Sequence, residues 1–143
     1  MTDNEIYLAT KQIINMIHPT LKVIKGYQNK RAPAGTYAVV SAIDTKEAGY
    51  PPLQKHSKSG TIPSSIGDVT NVDFDIQYQL KSTVTINFYR DNSNQFAVGL
   101  LSANWVPRVH AYLIENKLGW HSTSQVMNLS NILNDVYEER AQI

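Results

Sequence analysis

From Val72 to Phe88 the chain alternates apolar and polar side chains with a period of two. Val72, Phe74, Ile76, Tyr78, Leu80, Val84, Ile86 and Phe88 share one parity, and only Ser82 interrupts the row. The other parity carries Asp73, Asp75, Gln77, Gln79, Lys81, Thr83, Thr85 and Asn87. Successive side chains of a β-strand point to opposite faces, so this pattern demands a sheet with one buried and one polar face. At a rise of about 3.3 Å per residue, a single strand over 72–90 would reach roughly 60 Å. That exceeds a small domain, so the strand is expected to bend, to break near Lys81-Ser82, or to project.

The flanking sequence supplies helices. Thr2 and Glu5 form a capping box ahead of Ile6, Ala9, Ile13 and Ile17, which predicts a helix over 2–17 that stops before Pro19. Short strands are expected over 21–27 and 36–43, joined by a turn with Pro33 and Gly35. Asp91-Asn92-Ser93 offers caps for a helix over 94–104 striped by Phe96, Ala97, Leu100 and Leu101, and Pro107 opens another helical segment. Gly119 reads as the C-cap of that segment. Strands are expected over 120–127 and 136–143, with a short helical turn over 128–133.

Residues 44–72 hold no sustained period and carry Gly49, Pro51, Pro52, Gly60, Pro63 and Gly67, which predicts a long projecting loop. The order of elements gives α+β: a single domain over 1–143, with helices packed on one face of a largely antiparallel or mixed sheet.

Chemistry is sparse. The absence of cysteine excludes disulfides, thiol catalysis and cysteine zinc sites. His18, His56, His110 and His121 stand apart in sequence, with no HExxH, nucleophile elbow or phosphate-loop motif. No cofactor, metal or catalytic residue is therefore expected. No apolar run approaches the about 18 residues of a membrane span, and the N-terminus has no leader-like apolar stretch, so synthesis in the cytoplasm and no membrane partner are expected. A net charge of +1 argues against a dedicated nucleic-acid binder. Two basic clusters, Lys30-Arg31 and Lys55 with Lys58, remain as candidate DNA-facing groups. Charged residues are only 17% of the chain, which suits surfaces covered by other protein.

The C-terminal third carries a resemblance. Leu118-Gly119-Trp120, Val126, Leu129-Ser130-Asn131-Ile132-Leu133 and Tyr137-Glu138-Glu139-Arg140-Ala141-Gln142-Ile143 resemble the closing motifs of the phage neck (tail) terminator family. Pro33-Ala34-Gly35-Thr36-Tyr37 and Phe88-Tyr89 are similar to its middle segments. Members commonly continue past the E-x-R-A-x segment, whereas this sequence stops at Ile143.

The resemblance implies a virion structural protein, not an enzyme. It implies a homo-oligomeric, commonly hexameric ring at the top of the tail. Such a ring ends tube growth and meets the connector, the tail tube and any sheath. DNA would then be only the passing contents of its lumen. On this reading Tyr137, Glu139 and Arg140 are candidate interface residues, with Arg140 paired to Glu138 or Glu139. Lys30, Arg31, Lys55 and Lys58 are candidate lumen residues. The alternatives are a tail tube or baseplate ring subunit and a nucleic-acid-binding module.

Overall fold

The structure, a computed structural model, describes residues 2–28, 31–49, 53–57, 73–77, 79–133 and 136–143. The chain separates into two compact units, Met1–Ile43 with Thr83–Ile143, and Asp44–Ser82.

The first unit opens with α1 (Asp3–Ile17). Its capping box forms as the sequence requires. The Glu5 N–H donates to Thr2 Oγ1 at 3.3 Å, and the Thr2 N–H donates to Glu5 Oε2 at 2.6 Å. That satisfies two of the donors a helix start leaves free. Strands β1 (Lys22–Lys25) and β2 (Tyr37–Glu47) pair in parallel, Val23 beside Ala38. After β5 (Leu80–Tyr89) come α2 (Ser93–Leu101), a 3-10 turn (Ala103–Trp105) and α3 (Pro107–Glu115). The chain closes with β6 (Met127–Asn128), β7 (Asn131–Leu133), β8 (Val136–Glu138) and β9 (Arg140–Gln142).

The main sheet has the order β1-β2-β5-β9-β6, and β7 pairs with β8 as a separate hairpin. β9 is antiparallel to β5, with Phe88 opposite Ala141 and Tyr89 opposite Arg140, and antiparallel to β6. Reciprocal backbone bonds between Ile86 and Ile143 (2.9 and 3.0 Å) carry the β5 ladder to the last residue. The fold is therefore α+β with a mixed sheet.

Alternation along these strands decides what is buried. Ala38, Val40, Phe88, Ala141 and Ile143 face Ile14 of α1 and Ala97 and Leu100 of α2, forming the main core. Each large side chain there contributes about 2 kcal/mol by leaving water. Val109 and Leu113 of α3 close a smaller core with Ile13 of α1. The opposite parity (Tyr37, Tyr89 and Arg140) lies on the face of the sheet away from these helices.

The second unit holds β3 (Leu53–Ser57) antiparallel to β4 (Asp73–Gln77), Leu53 opposite Gln77. It also holds the distal residues of β2 and β5, where Thr45 Oγ1 and Ser82 Oγ lie 2.9 Å apart and the Ala48 N–H donates to Gln79 O at 2.8 Å.

Several sequence expectations are corrected. The alternating segment is two strands, and the second already begins at Leu80, ahead of the expected break at Lys81-Ser82. Within the expected loop 44–72, β2 runs through Glu47 and Leu53–Ser57 is a strand. The remainder, residues 50–52 and 58–72, lies outside the described residues. No strand covers 120–126, and the expected helical turn over 128–133 is part of β6 and β7. There Asn128 Oδ1 accepts the Ser130 N–H at 3.0 Å and the Ser130 hydroxyl at 2.6 Å, and this side-chain turn redirects the backbone. Gly119 is not the cap of α3. Lys117 takes the left-handed position (φ 55°), while the Leu118 N–H donates to Leu113 O (2.8 Å) and the Lys117 N–H to Ile114 O (3.0 Å). This is a Schellman motif with lysine where glycine is usual.

Candidate functional site

The three sequence segments that carry the family resemblance meet at one place on the sheet face away from the helices. β2 brings Tyr37, β5 brings Tyr89 with Arg90 just beyond its end, and β8 and β9 bring Glu138 and Arg140. The Tyr37 and Tyr89 rings stack with centroids 4.9 Å apart and planes within 10°. The Arg90 guanidinium lies 5.4 Å from the Tyr37 centroid, and the Arg140 guanidinium 5.2 Å from that of Tyr89. The result is a four-layer stack, cation, ring, ring, cation. Each cation–π contact is worth about 0.5–2 kcal/mol, depending on desolvation.

Both ends of the stack are anchored. Arg90 Nη1 donates to Pro33 O at 2.7 Å and Gly35 O at 2.8 Å, and so fixes the turn that leads into β2. Arg90 itself sits at φ 72°. Arg140 donates from Nε (3.0 Å) and Nη2 (2.7 Å) to Glu138 Oε2. The pair is half-buried, so it retains more of its attraction than a fully solvated one. Tyr37 is 7% exposed. Burial raises its phenol above the ordinary tyrosine value, and Tyr89 adds to the rise while Arg90 opposes it.

Glu139, between Glu138 and Arg140, points the other way and caps α2. Its carboxylate accepts the N–H of Asn92 (3.0 Å) and that of Asn94 (3.5 Å). Asn92, expected as a cap, is in the left-handed region (φ 62°) and makes no side-chain capping bond. A carboxylate from β9's approach thus does the capping, where the helix N-terminus favours negative charge.

Of the residues singled out from sequence, Tyr137 is 66% exposed. Arg140 and Glu139 are engaged within the chain as just described. Arg31 is exposed. Lys55 lies on β3, where only the backbone is described, and Lys30 and Lys58 lie outside the described residues. Arg31 belongs to the first unit and Lys55 to the second. Sequence reasoning missed the stack itself. Its only trace was that Tyr37, Tyr89 and Arg140 each lie in a motif segment.

Among the described residues there is no cluster of three His, Asp or Glu side chains able to hold a metal ion. His18 Nε2 lies 3.0 Å from Phe96 O with its ring edge-on to that of Phe96, which is a packing role. A shallow cleft lined by Tyr7, Gly26, Tyr27 and Ser41 encloses about 60 Å³, well below the roughly 300 Å³ at which ligand pockets begin. Among the described residues, no helix is long and apolar enough to cross a membrane.

The surface is unusual in two ways. Residues 92–107 and 118–134 contain no Asp, Glu, Lys or Arg. Within these stretches Val98, Leu101, Trp105, Met127 and Leu129 are exposed, Trp105 at 83%. Val98 and Leu101 lie three residues apart on α2, on one helix face, and Trp105 ends the 3-10 turn that follows.

A mixed sheet closed by its C-terminal strand, packed on three helices and flanked by uncharged stretches that expose apolar side chains, defines a small α+β domain. The sequence profile of the phage neck terminator proteins matches residues 4–143, nearly the whole chain, and the protein belongs to that family. It is a structural family of the bacteriophage virion, whose members work at the neck with other neck and tail proteins. No curated protein matches the chain.

Proposed function

We propose that the chain forms a closed homo-oligomeric ring, six subunits round, at the top of the phage tail. There it ends growth of the tail tube and joins the tube to the head connector. The observation that carries this reading is the exposure of the apolar side chains Val98, Leu101 and Trp105 in a charge-free stretch, in a chain of the neck terminator family. A ring needs a heterologous interface repeated until the rotation closes. Such an interface needs apolar surface without stranded charges at its centre.

In this reading the chain acts as one subunit over 1–143, and the segment 44–72 reaches a neighbouring subunit or ring. Tyr137 supplies contact area, while Glu139 and Arg140 shape the interface from behind by fixing the α2 start and the last strand. Lys30, Arg31, Lys55 and Lys58 turn toward the lumen. The test is imaging of assembled particles: a sixfold ring of this chain between connector and tube supports the reading, and its absence from the neck ends it.

A further inference from the structure

The charge of the first unit is unevenly spread. Residues 6–43 carry Lys11, Lys22, Lys25, Lys30 and Arg31 and no carboxylate. The fold gathers several of these along one border. β1 is an edge strand of the main sheet, so Lys22 and Lys25 lie on the sheet's margin, on alternate faces of the strand, and Arg31 follows in the connection to β2. Lys22 and Arg31 are exposed and Lys25 is half-buried. None of the three takes part in an ion pair among the described residues, where the pairs are Lys46 with Asp44 and Arg140 with Glu138. The nearest carboxylates on the adjoining helix are Asp3, which lines the shallow cleft with Lys25, and Glu5, which is turned back onto Thr2.

Tyr27 stands in the middle of this border. It is 98% exposed, so neither core packing nor a hydrogen bond within the fold accounts for an aromatic ring there. It also sits at φ 59°, a region that disfavours residues with a side chain. The preceding Gly26 is held against β2, its N–H donating to Val40 O at 2.7 Å, and a Cβ there would collide with Ser41. The glycine is thus spent on close approach, and the left-handed turn falls to a tyrosine. Strain at an exposed aromatic amid unpaired cations is a cost the fold itself does not need.

We infer that Lys22, Lys25, Tyr27 and Arg31 form a contact strip for the phosphate backbone of duplex DNA. The argument is charge complementarity: spaced cations, with Asp3 the acid that shares the cleft of Lys25 and Tyr27, match a polyanion of regular charge, and the tyrosine hydroxyl and ring suit phosphate and sugar contacts. Recognition of this kind is independent of base sequence. The proposal rests on the ring reading only for the claim that passing DNA is the partner in the virion; the binding itself does not depend on it.

The experiment uses the full chain and a labelled duplex of arbitrary sequence, with affinity measured by fluorescence anisotropy over a range of salt starting near about 50 mM. Lys22→Gln with Arg31→Gln is expected to lower the slope of log affinity against log salt by about two. Arg108→Gln with Lys117→Gln, which removes the same charge from exposed sites on and beside α3, is expected to leave the slope nearly unchanged. Tyr27→Gly is expected to weaken binding about 3- to 10-fold while raising Tm by about 3 °C, because glycine relieves the strained φ. Opposite movement of affinity and stability is what a merely structural tyrosine would not give.

No duplex binding at the lowest salt overturns the proposal, as do equal losses in the two double variants. The strip's charge would then belong to an acidic protein neighbour. A neck ring without DNA affinity overturns this inference alone. DNA affinity in a chain absent from the neck overturns the ring reading alone.

Discussion

Tyr37 shows how one buried side chain joins fold and titration. Its folded-state pKa is raised by burial, with Tyr89 adding to the effect. The folded chain therefore holds the phenol proton more tightly than the unfolded chain does. That contribution to stability is complete below the ordinary phenol value of about 10 and is lost as pH rises through the folded value. Ultraviolet titration of the tyrosines should show one ionising late, and Tyr37→Phe should remove that component; a spectrum unchanged by the substitution would refute the assignment. Arg140 is the second residue whose partners predict a number. Arg140→Ala removes the contact with the Tyr89 ring and leaves the half-buried Glu138 without its cation. A loss of about 1–3 kcal/mol in denaturant unfolding is expected. Arg140→Lys should recover only part of it, since an ammonium cannot both lie flat on the ring and donate twice to Glu138.

Helix ends show which local rules could be read from sequence and which could not. The α1 start was legible because every participant in the capping box lies within four residues. The α2 start was not, because its cap is the Glu139 carboxylate, more than forty residues away along the chain. Glu139→Ala should cost about 1 kcal/mol, and Glu139→Gln less, measured by thermal unfolding. The α3 end was misplaced because glycine is the usual left-handed residue, and here Lys117 holds that position while Leu118 packs near Leu113. Lys117→Gly should raise stability by about 0.5–1 kcal/mol; a loss would mean that the lysine makes a contact worth more than its strain. The turn at Asn128 was misread for a related reason. An Asx side chain followed by serine offers the same hydrogen bonds whether it opens a helix or turns a strand, and only the pairing of β9 with β6 decides. The long alternating segment forms strands, but of its apolar parity Phe88 is fully buried, Val84 and Ile86 are half-buried and Leu80 is 52% exposed, and alternation alone cannot say where one strand becomes two.

At the scale of the molecule, charge separates the two margins of the main sheet. The β1 margin carries unpaired lysines, which discourage strand-to-strand association. At the other margin, β6 and the α2 helix that packs on β9 lie in stretches with no charge at all. Trp105 and Leu101 are both exposed in such a stretch, and the assembly proposed above would cover them. The expected consequence is a clean separation of folding from assembly. Trp105→Glu and Leu101→Asp change side chains that are exposed in the single chain, so each should shift stability by no more than about 0.5 kcal/mol. In a buried interface the same carboxylates would be left unpaired, at a cost of several kcal/mol per repeat of the ring. Complementation of a phage lacking its neck terminator should therefore fail with either variant, although circular dichroism and Tm of the purified protein stay near wild type. Leu100→Asp, buried in the core beside them, should instead unfold the protein. If the Trp105 and Leu101 variants complemented fully, these side chains would not be the subunit contact, and the exposed Met127, Leu129 and Tyr137 near the β6 margin would be the next surface to alter.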